Sequence, residues 1–113
     1  MEHKNYFLGI DLGSSSVKVS ILDGHDSSCI ESVSFPENEM SIESPNIGWA
    51  EQDPLYWWDC VGECINNLNK KIDFNFIDAI GISYQMHGLV ALDISGKPVR
   101  PSIIWCDSRA VDI

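Results

Sequence analysis

Basic residues are scarce in this chain: seven Lys and Arg stand against seventeen Asp and Glu, for a formal charge of −10 over 113 residues. No basic cluster occurs anywhere, which excludes the electrostatic footprint of a nucleic-acid binder or of a protein drawn to an anionic membrane surface. Long hydrophobic runs are missing too, so no segment reaches membrane-spanning length. Met1–Tyr6 is polar and the apolar run behind it is too short for a secretory leader. The four cysteines, Cys29, Cys60, Cys64 and Cys106, form no Cys-x-x-Cys pair. Cys60 and Cys64 lie one helical turn apart but lack a further Cys or His at a familiar metal-site spacing. A cytoplasmic location is the expectation that follows. Internal repeats and low-complexity stretches are also absent. What is present is 44% apolar residues with four Trp, enough for one domain with a single core. An acidic surface of this kind tolerates a neutral polyol or sugar as ligand.

Alternation in Tyr6–Leu12 and Val17–Leu22 across Gly13-Ser14-Ser15-Ser16 predicts a tight β-hairpin, and Ser28–Phe35 a third strand. Residues Pro36 to Glu51 lack periodicity and read as a surface loop, pinned near its end by Trp49. Asp53-Pro54 then supplies a helix start, with Asp as cap and Pro at the first helical position. Leu55, Trp58, Val61, Ile65, Leu68 and Ile72 recur at three- and four-residue steps as its apolar stripe, ending near Lys70-Lys71. On this reading Trp58 packs in the core. Phe76–Ser83 is apolar enough to lie inside a sheet. The resulting β-β-β-α-β order is an α/β arrangement in which the crossover helix returns the chain beside its first strand. Leu89–Asp93 with Pro98–Arg100 is expected as a small hairpin, Ser102–Trp105 as a strand, and Asp107 as the cap of a helix barely begun, as if the chain stopped in mid-domain.

The chemistry is concentrated at two places. Gly13 and three short hydroxyl side chains let backbone N–H groups approach an anion closely, as the phosphates of a nucleotide require. Asp11, at the mouth of that turn, offers carboxylate oxygen to a hard cation such as Mg²⁺. A polyol needs directional polar groups and a flat apolar surface, and His87, Asp107 and Trp105 are of those types, with the Met86 thioether able to pack beneath a sugar. Arg109 is expected to pair with a nearby carboxylate, while Glu51, Gln52 and Asp53 read as a loop tie and a helix cap.

Together, the hairpin, Gly48-Trp49-Ala50-Glu51-Gln52-Asp53-Pro54 before Trp57-Trp58, Gln85-Met86-His87-Gly88 after a strand, and Trp105-x-Asp107-x-Arg109 carry a resemblance. The sequence resembles the N-terminal part of an FGGY-family carbohydrate kinase, closest to the members that phosphorylate xylulose. The motifs span Leu8 to Arg109 in family order. The resemblance implies a partial ribonuclease-H-like lobe of the actin and hexokinase type, with residues 1–113 the incomplete first domain. It also implies transfer of the γ-phosphoryl of Mg-ATP to a ketopentose. By the same resemblance Asp11 serves Mg²⁺ and activity, Gly13, Ser14 and Ser15 face the phosphates, and Met86, His87, Trp105 and Asp107 line the sugar pocket. The family's catalytic base and adenine site fall beyond the matched motifs, so the chain alone is expected to be inactive and, through Ile77, Ile80 and Ile82, to form a homodimer. Other polyols (glycerol, gluconate, ribulose, fuculose) are the alternative substrates. A non-catalytic actin-like module and a two-metal nuclease are the alternative classes; the sugar motifs count against the first, and the acidic surface against the second.

Overall fold

The alternating segments around Gly13 pair as β1 (Tyr6–Leu12) and β2 (Val17–Asp23), antiparallel, in a computed structural model that describes residues 3–111 and 113. Strand β3 (Cys29–Phe35) continues the meander. A two-residue strand, β4 (Glu51–Gln52), precedes helix α1 (Pro54–Asn69), and a single 3₁₀ turn at Phe74–Phe76 leads into β5 (Ile77–Tyr84). The sheet order is β3-β2-β1-β5, with β5 parallel to β1, as a crossover helix dictates. A second small sheet joins β4 to β6 (Ser102–Ile103). The fold is thus mixed α/β, and its four-stranded sheet with α1 keeps the expected β-β-β-α-β order, while β4 is a further short strand at the end of the segment expected as a loop.

Register explains which face is buried. Leu8, Ile10 and Leu12 of β1 stand beside Ile21, Val19 and Val17 of β2, and all six turn to the α1 side because strand side chains alternate. Val17, Val19 and Ile21 are fully buried against Cys60, Cys64 and Leu68 of α1, with Leu8 and Val61 nearly so. Asp11, Gly9, Lys18 and Ser20 face the other way. Burial raises the pKa of both Cys60 and Cys64, which keeps them as inert thiols. Among the described residues no helix is long and apolar enough to cross a membrane.

The structure bears on four further expectations. Trp58 is 72% exposed rather than core, because the buried stripe of α1 runs through Cys60, Val61, Cys64 and Leu68, with Trp57 rather than Trp58 packed against it. Strand β5, apolar enough for a sheet interior, is the outer strand of the sheet among the described residues, with the uncovered edge on which the expected self-association depends. The small hairpin expected around Ser95-Gly96-Lys97 is present, with Asp93 N–H on Lys97 O at 2.8 Å, Val99 N–H on Ala91 O at 3.0 Å and an antiparallel bridge from Leu92 to Pro98, while Leu89 bridges Ile103. Asp107 caps no helix among the described residues; its carboxylate accepts the Arg109 N–H in a local turn.

The start of α1 is as read. Asp53 Oδ1 accepts the Leu55 N–H at 2.9 Å with Pro54 in the first turn. Asp53→Ala is expected to cost about 1 kcal/mol of stability, the usual effect of losing such a cap. Urea unfolding followed by circular dichroism checks this; an unchanged midpoint would mean that Pro54 fixes the helix start alone.

Candidate functional site

The C-terminal ends of the parallel strands β1 and β5 lie side by side, the position at which α/β sheets collect ligands. Asp11 and Ser83 are register partners there, on the face away from α1, and the Ser83 hydroxyl donates to Asp11 Oδ1 at 3.2 Å. With Gly9, Lys18, Ser20 and Gly81 they line an open concavity of about 410 Å³. Asp11 is exposed, so a carboxylate and a hydroxyl present oxygen to solvent together.

The turn after Asp11 is closed by the Gly13 N–H on Ser16 O at 3.1 Å. A Cβ on Gly13 would sit 2.8 Å from that same oxygen, so the turn requires glycine. The turn is also tied from outside: Gln52 Nε2 donates to Ser14 O at 2.6 Å, and the Met40 N–H donates to Ser15 O at 2.8 Å. The Trp105 indole N–H donates to Ser14 Oγ at 3.1 Å, so residues ninety-one apart in sequence meet at this point.

Gln85-Met86-His87-Gly88 leaves β5 at the same end. The Gln85 N–H donates to Leu12 O at 3.2 Å, and Leu89 pairs through both backbone groups with Ile103, two residues before Trp105. Met86 is 70% exposed and Trp105 is 57% exposed, large apolar groups held out of the core. His87 adopts φ 62°, a left-handed conformation uncommon outside glycine, which histidine takes more readily than most residues.

Asp107 behaves differently. Its oxygens accept the Ala50 N–H at 2.7 Å, the Arg109 N–H at 2.9 Å, and Arg109 Nε and Nη2 at 2.7–3.0 Å. The Arg109 guanidinium, above all, holds its carboxyl far below the usual carboxylate range, and Asp107 raises Arg109 in turn. Arg109 also pairs with the buried Glu51 at 2.8 Å and lies over the Trp49 ring at 3.9 Å, while Arg100 reaches the same Glu51 oxygen. As expected for Arg109, its charge is spent on carboxylates. Asp107 therefore fixes the loop that carries Trp105, and each of its oxygens already has a protein donor.

The structure thus brings Asp11, Gly13, Ser14, Ser15 and Trp105 to one end of the sheet with the Met86–His87 loop beside them. Sequence reasoning missed Ser83 as the partner of Asp11. Its signal, a lone hydroxyl late in an apolar strand, becomes informative only with the β1–β5 register. Among the described residues no cluster of three or more Cys, His, Asp or Glu forms a ready metal cage.

Comparison with known proteins identifies the family. The N-terminal domain of the FGGY family of carbohydrate kinases matches residues 6–113. The xylulose kinase of Escherichia coli (strain K12) is 35% identical over 103 residues, 91% of this chain and 20% of that protein. Among solved structures, a xylulose kinase from Brucella ovis superposes with a TM-score of 0.84 at 34% identity, covering 93% of this chain and 22% of its own. A gluconate kinase from Lactobacillus acidophilus gives 0.80 at the same identity, covering 92% and 20%. The chain spans about a fifth of the length of these relatives.

Proposed function

The chain belongs to the FGGY family of carbohydrate kinases, and from that premise we propose that it supplies the phosphate turn and one wall of the acceptor pocket to a kinase converting D-xylulose to xylulose 5-phosphate. The observation that carries this reading is the Trp105–Ser14 hydrogen bond, which holds an exposed aromatic side chain beside the glycine-serine turn.

The residues suit the roles. Asp11 and the neighbouring Ser83 hydroxyl are hard oxygen donors of the kind Mg²⁺ takes, and the ion, when bound with ATP, neutralises charge on the transferring phosphoryl group. The turn at Gly13, Ser14 and Ser15 places backbone N–H groups and hydroxyls against the phosphates. Trp105 offers a flat face to the carbon side of the sugar, and Met86 and His87 contact it from the loop after β5. Asp107 acts on the pocket through the Trp105 loop that it holds. We place the kinase in the cytoplasm, where the four free thiols stay reduced. The 113-residue chain alone is proposed to be inactive, as a fifth of its relatives' length, and to self-associate through β5.

A second reading has specific support: the gluconate kinase superposes nearly as well as the xylulose kinase, so another polyol is the alternative substrate. Titration calorimetry of the full-length kinase with D-xylulose, gluconate, glycerol, ribulose and fuculose decides between them. The tightest binding is expected for D-xylulose; preference for another polyol would transfer the assignment to it. In the same assay His87→Ala is expected to weaken D-xylulose binding by roughly 1–3 kcal/mol, the scale of a polar group left unpaired, with ADP affinity unchanged. Unaltered sugar affinity would return His87 to a merely structural loop residue.

A further inference from the structure

Glu51 and Gln52 form the whole of β4, and both side chains are buried although both are polar. Glu51 is accounted for by Arg100 and Arg109. Gln52, 4% exposed, does something else: Nε2 donates to Ser14 O at 2.6 Å and to Ser41 O at 3.3 Å, while Oε1 accepts the Trp57 indole N–H at 3.0 Å. These partners leave one orientation for the amide. An indole nitrogen only donates and a carbonyl only accepts, so a flipped amide would break all three bonds at once.

The bond to Ser14 O has a consequence for the next residue. In a planar trans peptide the C=O and the following N–H point in opposite directions. Drawing the Ser14 carbonyl inward to the buried Gln52 therefore turns the Ser15 N–H outward, to the exposed side of the turn where Ser15 lies. The Met40 N–H does the same for the following peptide by holding Ser15 O at 2.8 Å. Were the Ser14–Ser15 peptide free to flip, a carbonyl oxygen would face the phosphates in place of a donor.

We infer that Gln52 is a positioning residue for phosphate binding: it fixes the Ser14–Ser15 peptide so that the Ser15 N–H faces the nucleotide phosphates. The inference rests on the kinase reading above. Gln52 touches neither substrate; it acts through the peptide that it holds.

The test uses the full-length kinase that carries this chain, assayed for turnover and titrated with ADP and with D-xylulose. Gln52→Met, close in volume but without a donor or acceptor, is expected to lower kcat/KM for ATP about tenfold to a hundredfold, the range for a misplaced group near the reacting atoms. ADP affinity should fall while D-xylulose affinity stays within about twofold, a split that a general loss of folding would not produce. If Gln52→Met does not fold, Gln52→Glu keeps the volume and the acceptor for Trp57 while setting an acceptor against the Ser14 and Ser41 carbonyls, and carries the same expectation. Trp57→Phe, which removes only the other end of the amide's bonding, is expected to leave ADP affinity within about twofold. An active wild type whose Gln52 variants bind ADP normally would overturn the inference and leave the kinase reading intact. ADP binding weakened equally by Trp57→Phe and Gln52→Met would overturn it too, as a sign of general loosening. A wild type with no sugar-dependent turnover would instead overturn the reading beneath it.

Discussion

Asp11→Asn in the full-length kinase is expected to reduce turnover about 10²–10³-fold, the scale for removing one group that stabilises charge in a transition state, while D-xylulose affinity stays within about twofold. The substitution keeps the shape of the side chain and an oxygen for the Ser83 hydroxyl, so β1 and β5 remain paired. What it removes is the negative charge beside the phosphate turn, the feature that suits Asp11 to a divalent cation. A coupled assay for ADP measures the first quantity and calorimetry with D-xylulose the second. Equal losses in both would place Asp11 against the acceptor rather than the phosphates.

The 113-residue chain, purified alone at micromolar concentration, is expected to run as a dimer of its 12.6 kDa mass. Ile80, Ile82 and Tyr84 are 62%, 61% and 73% exposed, yet register sets them beside Leu8, Ile10 and Leu12, on the same face as the core. Helix α1 covers β2 and β3 on that face, and Trp58 stands exposed at its margin. The outer edge of β5 has no pairing strand among the described residues. A second copy fits this edge. Antiparallel pairing about Gly81 sets Ile80 opposite Ile82 and Asp78 opposite Tyr84, so no like charges meet and the apolar faces become continuous. The net charge of −10 opposes association but is screened beyond about 8 Å at physiological salt. Light scattering after size exclusion is expected to give a monomer for Ile80→Lys combined with Ile82→Lys. A monomeric wild type would contradict the assignment of this face.

Local patterns carried the fold a long way. The hairpin, the Asp53 cap and the β-β-β-α-β order depend on neighbours in sequence, and the handedness rule for crossovers then sets β5 beside β1. The apolar stripe of α1 was legible only to within one residue. Large apolar residues suggested Leu55 and Trp58, whereas the small thiols of Cys60 and Cys64 let the helix lie close on the valines of β2. Nothing in the helix alone reveals that its Trp58 side looks past the edge of the covered sheet. At the candidate site, the turn, Asp11 and Trp105 stood out by residue type, and the structure brings them to one end of the sheet. Gln52 was legible as a loop tie, but which loops it joins, and the bonds made by Ser83 and Asp107, were not, because the partners lie thirty-eight, seventy-two and fifty-seven residues away. For Asp107 the local bond to the Arg109 N–H resembles a helix cap. Only the distant Ala50 N–H shows that the carboxylate fastens two loops together.

The most direct measurement is ADP release from Mg-ATP by the full-length kinase, with and without D-xylulose. The account predicts release that rises sharply when D-xylulose is added and yields one sugar phosphate for each ADP. An ADP release rate that is the same in the absence of sugar and in the presence of every polyol offered would contradict it.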